Sequence, residues 1–148
     1  MEKLSVKSPA FEDNGLIPEK YTCDGNDTNP PLKIENIPPQ TQSLALLIDD
    51  PDAFNGIWNH WVVWNISPQG IINENGVPGE EGLNSFNRHT YGGPCPPSGT
   101  HRYLFTVYAL DTKLKISISS RKKDLEAAMN GHILAKGELV GFYKLKRN

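Results

Sequence analysis

Two stretches, WNHWVVWNI at Trp58–Ile66 and HRYLFTVYAL at His101–Leu110, favour a fold built mostly of β-strands. Both are rich in β-branched and aromatic residues, which pack well on a pleated sheet. Working outward from them, the same signals predict four further strands, at Leu4–Lys7, Ser43–Asp49, Leu114–Ile118 and Gly137–Leu145. The 13 glycines and 12 prolines separate these apolar runs, as turns do in an all-β domain.

One segment is predicted to be helical. Arg121–Asn130 follows two candidate N-cap residues, Ser119 and Ser120, and is followed by Gly131, a residue type that commonly ends helices. A chain of 148 residues is long enough for one ordinary domain and too short for two. We therefore expect a single domain, 1–148, in which this helix packs on a sheet.

Composition and charge disfavour several classes of partner. Fifteen Lys and Arg against 17 Asp and Glu give a formal charge of −2, which does not favour nucleic-acid binding. The basic segment 144–147 is expected to be a solvated chain end. The N-terminus lacks the apolar stretch of a signal peptide, and the longest apolar run, Leu44–Ile48, is far shorter than the ~20 residues of a membrane span. A soluble protein is expected.

The chain has two cysteines, Cys23 and Cys95, and neither belongs to a C-x-x-C pair. This pattern fits a reducing cytoplasm better than a disulfide framework. We therefore expect a cytoplasmic protein with free thiols, and a bridge between the two cysteines stays open as the alternative.

The 34 residues of Ser67–Thr100 show no sustained periodicity. Segments of this length inside a compact domain are usually functional or disordered. The last part, Tyr91–Thr100, contains three prolines and three glycines, so it combines a restricted backbone with positions where a ligand can approach closely. These properties favour a functional loop.

Polar side chains cluster at the ends of three predicted strands. Strand alternation places Trp58 and His60 on one face together with Val62 and Trp64, and places His101 beside Tyr103 on one face of the next aromatic strand. Asp49-Asp50-Pro51-Asp52 leaves the sheet at a sharp turn. Each feature alone is more commonly a packed core residue or an ordinary turn.

Taken together, these residues match a known pattern. Asp50-Pro-Asp-Ala, Trp58-Asn-His60 and Gly93-Pro-Cys-Pro-Pro-Ser-Gly-Thr-His101-Arg-Tyr103 resemble the two signature regions of the phosphatidylethanolamine-binding protein family, in its bacterial and archaeal Raf-kinase-inhibitor-like branch. The similarity extends over nearly the whole chain, from Ser8-Pro9-Ala10-Phe11 to Gly137-Glu138-Leu139-Val140-Gly141. Phe54 stands where many relatives carry proline, so the rim of the site is expected to differ locally.

The resemblance implies a central antiparallel sheet packed against a smaller one, with an anion-binding pocket at one end of the strands. It also implies that the pocket accepts phosphate-type head groups. We expect no metal or other cofactor. The implied ligand-binding residues are Asp50, Asp52, Trp58, His60, Gly93, Pro94, Cys95, Pro97, His101 and Tyr103, with backbone donors from the loop. Imidazole, phenol and amide groups suit a phosphate, and Asp50 would orient a histidine or accept an ammonium group.

Three functions are weighed on these residues. The favoured one is a module that binds a small phosphorylated or anionic ligand, with regulation of a kinase or protease suggested by family analogy alone. The second is a hydrolase acting on a small phosphoester, with His60 or His101 as general base. The third is a metal site of Asp50, His60 and His101, which the absence of a typical ligand spacing disfavours.

Overall fold

The computed structural model describes residues 2–146. These residues form ten strands, one 3-10 turn at Glu19–Tyr21 and one α-helix. The strands are β1 (Glu2–Lys3), β2 (Ser5–Lys7), β3 (Gly15–Leu16), β4 (Leu32–Glu35), β5 (Ser43–Asp50), β6 (Trp58–Ile66), β7 (Ile71–Ile72), β8 (Glu80–Glu81), β9 (His101–Leu110) and β10 (Ile133–Tyr143), and the helix α1 (Lys122–Met129) lies between β9 and β10.

The strands form two sheets, and the mostly β fold predicted from sequence is confirmed. The main sheet has the order β1-β10-β9-β5-β6-β8, with β3 also pairing with β10, and the smaller sheet has the order β2-β4-β7. The long strands are antiparallel neighbours, whereas β1 and β3 pair with β10 in parallel. The main sheet is therefore mixed, because it is antiparallel from β10 to β8 and parallel only where β1 and β3 pair with β10.

Strand β5 is buried along its whole length because both faces of the main sheet are covered. Leu44, Leu46 and Ile48 belong to a core cluster that continues into the smaller sheet, while Ala45 and Leu47 pack in a second cluster that includes residues of α1. Alternation along one strand thus supplies both cores. Its last two residues, Asp49 and Asp50, continue this strand as carboxylates.

A β-bulge sets the direction of His60. Between β5 and β6, Ile48 pairs with Trp61 and Asp49 pairs with Asn59, so β6 contains one extra residue at this step. Strict alternation would place His60 with Val62 and Trp64, but those two residues pack on the α1 side. The predicted shared face is therefore wrong, because the bulge turns His60 toward the opposite side of the sheet.

The predicted strand Leu114–Ile118 is also wrong. The backbone N–H of Leu114 donates to Oδ1 of Asn65 at 2.8 Å, and the Leu114 carbonyl accepts from Nδ2 of Asn65 at 2.8 Å. A single side chain therefore satisfies the backbone groups that a neighbouring strand would otherwise pair. The short strands β1, β3, β4, β7 and β8 were not predicted.

The predicted helix is confirmed, and it is one residue shorter at each end than predicted. Its N-cap residue is Arg121 rather than Ser119 or Ser120, and the Asp124 carboxylate accepts a hydrogen bond from the Arg121 backbone N–H at 2.9 Å. Leu125 and Met129 are buried against the main sheet. Within residues 2–146, no helix is long and apolar enough to cross a membrane.

Candidate functional site

A cavity of about 360 Å³ opens where β5 ends and where β6 and β9 begin. Because β6, β5 and β9 are antiparallel neighbours, the end of β5 and the starts of β6 and β9 lie at the same end of the main sheet. The lining residues come from the strand ends, the turn after β5 and two loops: Asp50, Ala53, Phe54, Trp58, His60, Phe86, Cys95, Pro96, Pro97, His101 and Tyr103.

Asp50 and His101 form a buried pair in this cavity. Nδ1 of His101 lies 2.7 Å from Oδ2 of Asp50, and the Asp50 side chain is 5% exposed. The other carboxylate oxygen accepts the backbone N–H of Asp52 at 2.8 Å. An ionised carboxylate only accepts hydrogen bonds, so Nδ1 carries the proton and Asp50 fixes the ring with Nε2 as the remaining polar atom.

His60 is held in the opposite way, by a neutral backbone acceptor. Its Nδ1 lies 2.6 Å from the Gly92 carbonyl oxygen, and that carbonyl requires a proton on Nδ1. Burial lowers the pKa of His60, although the Gly92 hydrogen bond and the nearby Asp50 charge oppose this effect. The neutral ring has Nε2 as a hydrogen-bond acceptor.

Tyr103 lies between the two histidines and the core. Its ring packs edge-on against His60, with centroids 5.3 Å apart, and the residue is fully buried. Burial and the Asp50 charge raise the pKa of Tyr103, so the hydroxyl keeps its proton. Among the described residues, no group meets strict hydrogen-bond geometry with this hydroxyl, although the Asp50 carboxylate and the Cys95 backbone lie close enough to affect its pKa.

Aromatic residues surround the polar groups. Trp58 and Phe86 contact each other edge-to-face at 5.3 Å, and Phe86 also packs against His60 at 5.3 Å. Phe54 is 88% exposed at the rim. Sequence reasoning missed Phe86, Ala53 and Pro96, and it treated Phe54 only as a local departure. Phe86 lies in the aperiodic segment, where no periodic pattern indicates which side chains turn inward.

The structure brings seven of the ten predicted ligand-binding residues to the cavity lining: Asp50, Trp58, His60, Cys95, Pro97, His101 and Tyr103. The other three are Asp52, Gly93 and Pro94, and the structure places them outside it. Asp52 instead binds Arg102, with Oδ1 at 2.8 Å from Nη2, and this hydrogen bonding lowers the pKa of Asp52 to about 2.

The backbone amides of the loop at Gly93–Pro97 were expected to face the ligand, but they have other roles. The Gly93 N–H donates to Oδ1 of Asp27 at 2.8 Å, and the Pro94 carbonyl accepts from the Cys23 N–H at 3.1 Å. Pro94, Pro96 and Pro97 have no N–H to offer. Gly93 is required for close packing, because a Cβ there would lie 2.4 Å from the Tyr21 carbonyl oxygen.

The two cysteines form a disulfide, so the expectation of free thiols is wrong. Cys23 and Cys95 are 72 residues apart in sequence, and their Cα atoms lie 5.5 Å apart. The physical reason is that the loop after Tyr91 folds back on the turn that contains Cys23, which local sequence patterns do not indicate. Because the two cysteines are bridged, they no longer favour a reducing cytoplasm as the location of the protein.

The charged groups among the lining residues limit the chemistry of the cavity. In the part of the chain that the structure describes, Asp50 is the lining carboxylate, the two histidines are the groups able to carry positive charge, and neither lysine nor arginine lines the cavity. Residues 2–146 contain no cluster of three or more His, Cys, Asp or Glu residues that could hold a metal ion. The site therefore offers imidazole-based recognition.

Comparisons with known proteins place this geometry in a family. The sequence model of the phosphatidylethanolamine-binding protein family matches residues 7–144. A UPF0098 protein of Pyrococcus horikoshii is 49% identical and is aligned over 98% of this chain and 79% of its own length. A UPF0098 protein of Methanothermobacter thermautotrophicus is 44% identical, over 95% of this chain and 99% of its own length.

Solved structures agree with the sequence comparisons. The crystal structure of a phosphatidylethanolamine-binding protein homolog from Chlamydia trachomatis superposes with a TM-score of 0.94 at 37% identity, covering 99% of this chain and 100% of that chain. Escherichia coli YbcL, described as a member of the mammalian family, gives a TM-score of 0.88 at 27% identity, covering 97% of this chain and 99% of that chain. The chain therefore belongs to the phosphatidylethanolamine-binding protein family.

Proposed function

We propose that the cavity binds a small ligand through a phosphate-type head group, such as that of phosphate or phosphoethanolamine. The observation that carries the proposal is the pairing of His101 with Asp50 in a cavity of about 360 Å³ that His60 also lines. The carboxylate accepts from Nδ1 and orients the His101 ring, and in the proposed complex a protonated Nε2 donates to the anion. His60, which lines the same cavity, supplies an acceptor through Nε2.

This arrangement favours a singly charged head group. Asp50 and a protonated His101 together are neutral, so a dianion in the cavity would face the Asp50 carboxylate without a second cation. A monoanion with one P–OH group can accept from His101 and donate to Nε2 of His60. A head group that carries an ammonium also has an acceptor in Asp50.

A hydrolase is the second candidate, because a carboxylate that orients a histidine is also part of many hydrolytic sites. The lining residues do not complete such a site. Within the described chain, no serine or threonine lines the cavity, and the sulfur of Cys95 is bound in the bridge. Binding is therefore favoured over catalysis, and regulation of a kinase or protease stays a hypothesis from family analogy.

Titration calorimetry of the oxidised protein with phosphoethanolamine, inorganic phosphate and ethanolamine tests this proposal. We expect saturable binding of phosphoethanolamine and phosphate at one site, and little or none of ethanolamine alone. Absence of both binding heat and a melting-temperature shift with the two phosphates would contradict the proposal. Turnover of a phosphoester panel that is lost in His101→Ala would favour the hydrolase instead.

A further inference from the structure

Four Asn-Gly pairs occur in the chain, at Asn14–Gly15, Asn55–Gly56, Asn75–Gly76 and Asn130–Gly131. Asparagine is a thermolabile residue type, and it reacts most readily before glycine, where no Cβ hinders attack of the following backbone nitrogen on the side-chain amide. The reaction needs an exposed asparagine and a backbone that can rearrange, so the surroundings of each pair decide whether it occurs. The structure separates the four pairs into two groups.

Two of the pairs are held by hydrogen bonds to the glycine nitrogen. The Gly15 N–H donates to the Glu12 carbonyl at 2.8 Å, and Gly15 is also paired with Gly141 in the main sheet. The Gly76 N–H donates to Oδ1 of Asn29 at 2.9 Å, and Asn29 is buried. In both pairs the nitrogen is engaged, so the backbone cannot turn toward the side chain without breaking a hydrogen bond.

The pair Asn55–Gly56 is open. Both residues are exposed in the turn between β5 and β6, and their φ angles are positive, 71° and 112°. No other part of the described chain comes within 4 Å of the place where a Cβ of Gly56 would stand. The Gly56 N–H donates to the Ala53 carbonyl at 3.3 Å, a longer contact than those of Gly15 and Gly76. This turn has the exposure and the freedom that the reaction requires.

Asn130–Gly131 has similar surroundings but lies away from the cavity. Both residues are exposed after the end of α1, and Gly131 has a φ of 85° with open space around it. Neither residue lines the cavity. The pair is therefore an internal comparison, since it should react as Asn55–Gly56 does but without an effect on the head-group site.

Asn55 is distinguished by its position at the cavity rim. The turn that contains it also contains Ala53 and Phe54, two lining residues, and it directly follows Asp50. Asp50 is the lining carboxylate, and the lining contributed by the described chain includes no lysine or arginine. A new carboxylate on this turn therefore adds negative charge beside a site that has no permanent cation to balance it.

We propose that Asn55–Gly56 is a spontaneous modification site, at which deamidation adds a carboxylate to the cavity rim and weakens binding of an anionic head group. The effect on binding rests on the proposed function. The Gly56 nitrogen attacks Cγ of Asn55, so a new C–N bond closes a succinimide ring and the bond from Cγ to Nδ2 breaks. The Gly56 amide proton leaves with Nδ2 as ammonia. Water then opens the ring at either carbonyl, which yields aspartate or isoaspartate.

Peptide mass spectrometry of protein kept at mildly alkaline pH follows all four pairs in one sample. We expect aspartate and isoaspartate to accumulate severalfold faster at Asn55 and Asn130 than at Asn14 and Asn75, and unfolding in denaturant should remove this difference. Asn55→Gln is the matched variant, because ring closure from the longer side chain is slow, and it should stop the reaction at this position only. Absence of modification at Asn55, or equal rates at all four pairs in the folded protein, would overturn the proposed site.

Calorimetry with inorganic phosphate tests the effect on binding. We expect Asn55→Asp to bind phosphate roughly twofold more weakly than wild type at low salt, with a smaller difference at high salt, because an exposed charge acts through solvent. Asn130→Asp makes the same change of charge and should bind as wild type does. Equal affinities of the two variants would overturn the effect on binding. Failure of the unmodified protein to bind phosphate would overturn the proposed function and this effect with it, whereas modification at Asn55 would still confirm the site.

Discussion

The residues of the cavity combine two histidines with opposite surroundings. His101 faces a carboxylate through Nδ1, and His60 faces a backbone carbonyl through Nδ1 while burial lowers its pKa. In the proposed complex, the same side-chain type supplies a donor beside a carboxylate at one position and a neutral acceptor at the other. The proposed recognition of a monoanionic head group rests on this difference.

Replacing His101 with alanine should weaken phosphoethanolamine binding by about 1.5–3 kcal/mol, the range for a hydrogen bond to a charged group. His132 is the matched control, because its Nδ1 lies 2.8 Å from Asp111 in a half-exposed pair outside the cavity lining. His132→Ala should leave affinity unchanged. Calorimetry and thermal melts on the same samples check this, and loss of the folded state in His101→Ala would instead identify His101 as structural.

His60 should make the folded protein sensitive to acid. Its pKa is lowered from 6.5 by burial, so below that pH the unfolded chain binds a proton more readily than the folded protein does. This contribution to stability is complete above pH 6.5 and is lost as the pH falls, by up to about 1.4 kcal/mol per pH unit.

Asparagine can replace the Nδ1 donor to Gly92 without titrating, so His60→Asn is the comparison variant. Denaturant unfolding between about pH 7.5 and 5.5 should show that the stability difference between wild type and His60→Asn shrinks in acid. A difference that stays constant across this range would contradict the assignment of a buried neutral imidazole.

The sequence predicted which residues line the cavity more accurately than it predicted the direction of their side chains. His101 and Tyr103 were predicted to share a face, and both line the cavity. His60 also lies there, but the predicted reason was wrong, since simple alternation takes no account of the bulge beside Asn59. A bulge depends on how two strands pair, and the sequence of one strand does not reveal it.

At the scale of elements, prediction succeeded where burial is continuous or periodic. The limits of β6 and β9 agree with the predicted strands, and β5 extends one residue beyond its predicted end. Prediction failed at Leu114–Ile118, because the side chain of Asn65 replaces a strand partner. Such long-range side-chain contacts leave no local signal.

Helix α1 is attached to the sheet through a buried charge. Nζ of Lys122 lies 2.9 Å from Oδ2 of Asp49, and the other Asp49 oxygen accepts from Nδ2 of Asn59 at 2.9 Å. Burial alone would lower the pKa of Lys122, but the Asp49 hydrogen bond and charge raise it. The lysine therefore stays charged and compensates a carboxylate that is 9% exposed.

Lys122→Ala should lower the free energy of unfolding by about 2 kcal/mol, because Asp49 keeps its buried charge without a cation. This is less than for a fully buried pair, since the Lys122 side chain is 27% exposed. The neighbouring exposed Lys123 is the control, and Lys123→Ala should change stability little. Equal effects of the two substitutions in denaturant unfolding would show that the buried charge does not attach the helix.

In the whole molecule, the main sheet separates two cores, and the cavity lies at one end of its central strands. The disulfide adds a covalent connection between distant parts of the chain, across 72 residues. The sequence alone left this pairing open, because the distance between two cysteines in space depends on the path of the aperiodic loop. The fold itself follows from the long strands, which sequence patterns did predict.

Opening the bridge should lower global stability without unfolding the protein. Closing a long loop restricts the unfolded chain, so its loss is expected to cost about 2–5 kcal/mol. Both core clusters are independent of the sulfur atoms. Denaturant unfolding with and without dithiothreitol measures the change, and an unchanged midpoint would show that the bridge contributes nothing to stability.

Imidazole nitrogen NMR can detect whether a phosphate-type head group binds between the two histidines. On saturation with phosphoethanolamine, we expect both nitrogens of His101 to be protonated, while His60 keeps its proton on Nδ1 and its Nε2 signal shifts as it accepts a hydrogen bond. The signals of His132, outside the lining, should stay unchanged. Binding confirmed by calorimetry with no change in the His60 and His101 signals would place the ligand elsewhere and contradict binding between the histidines.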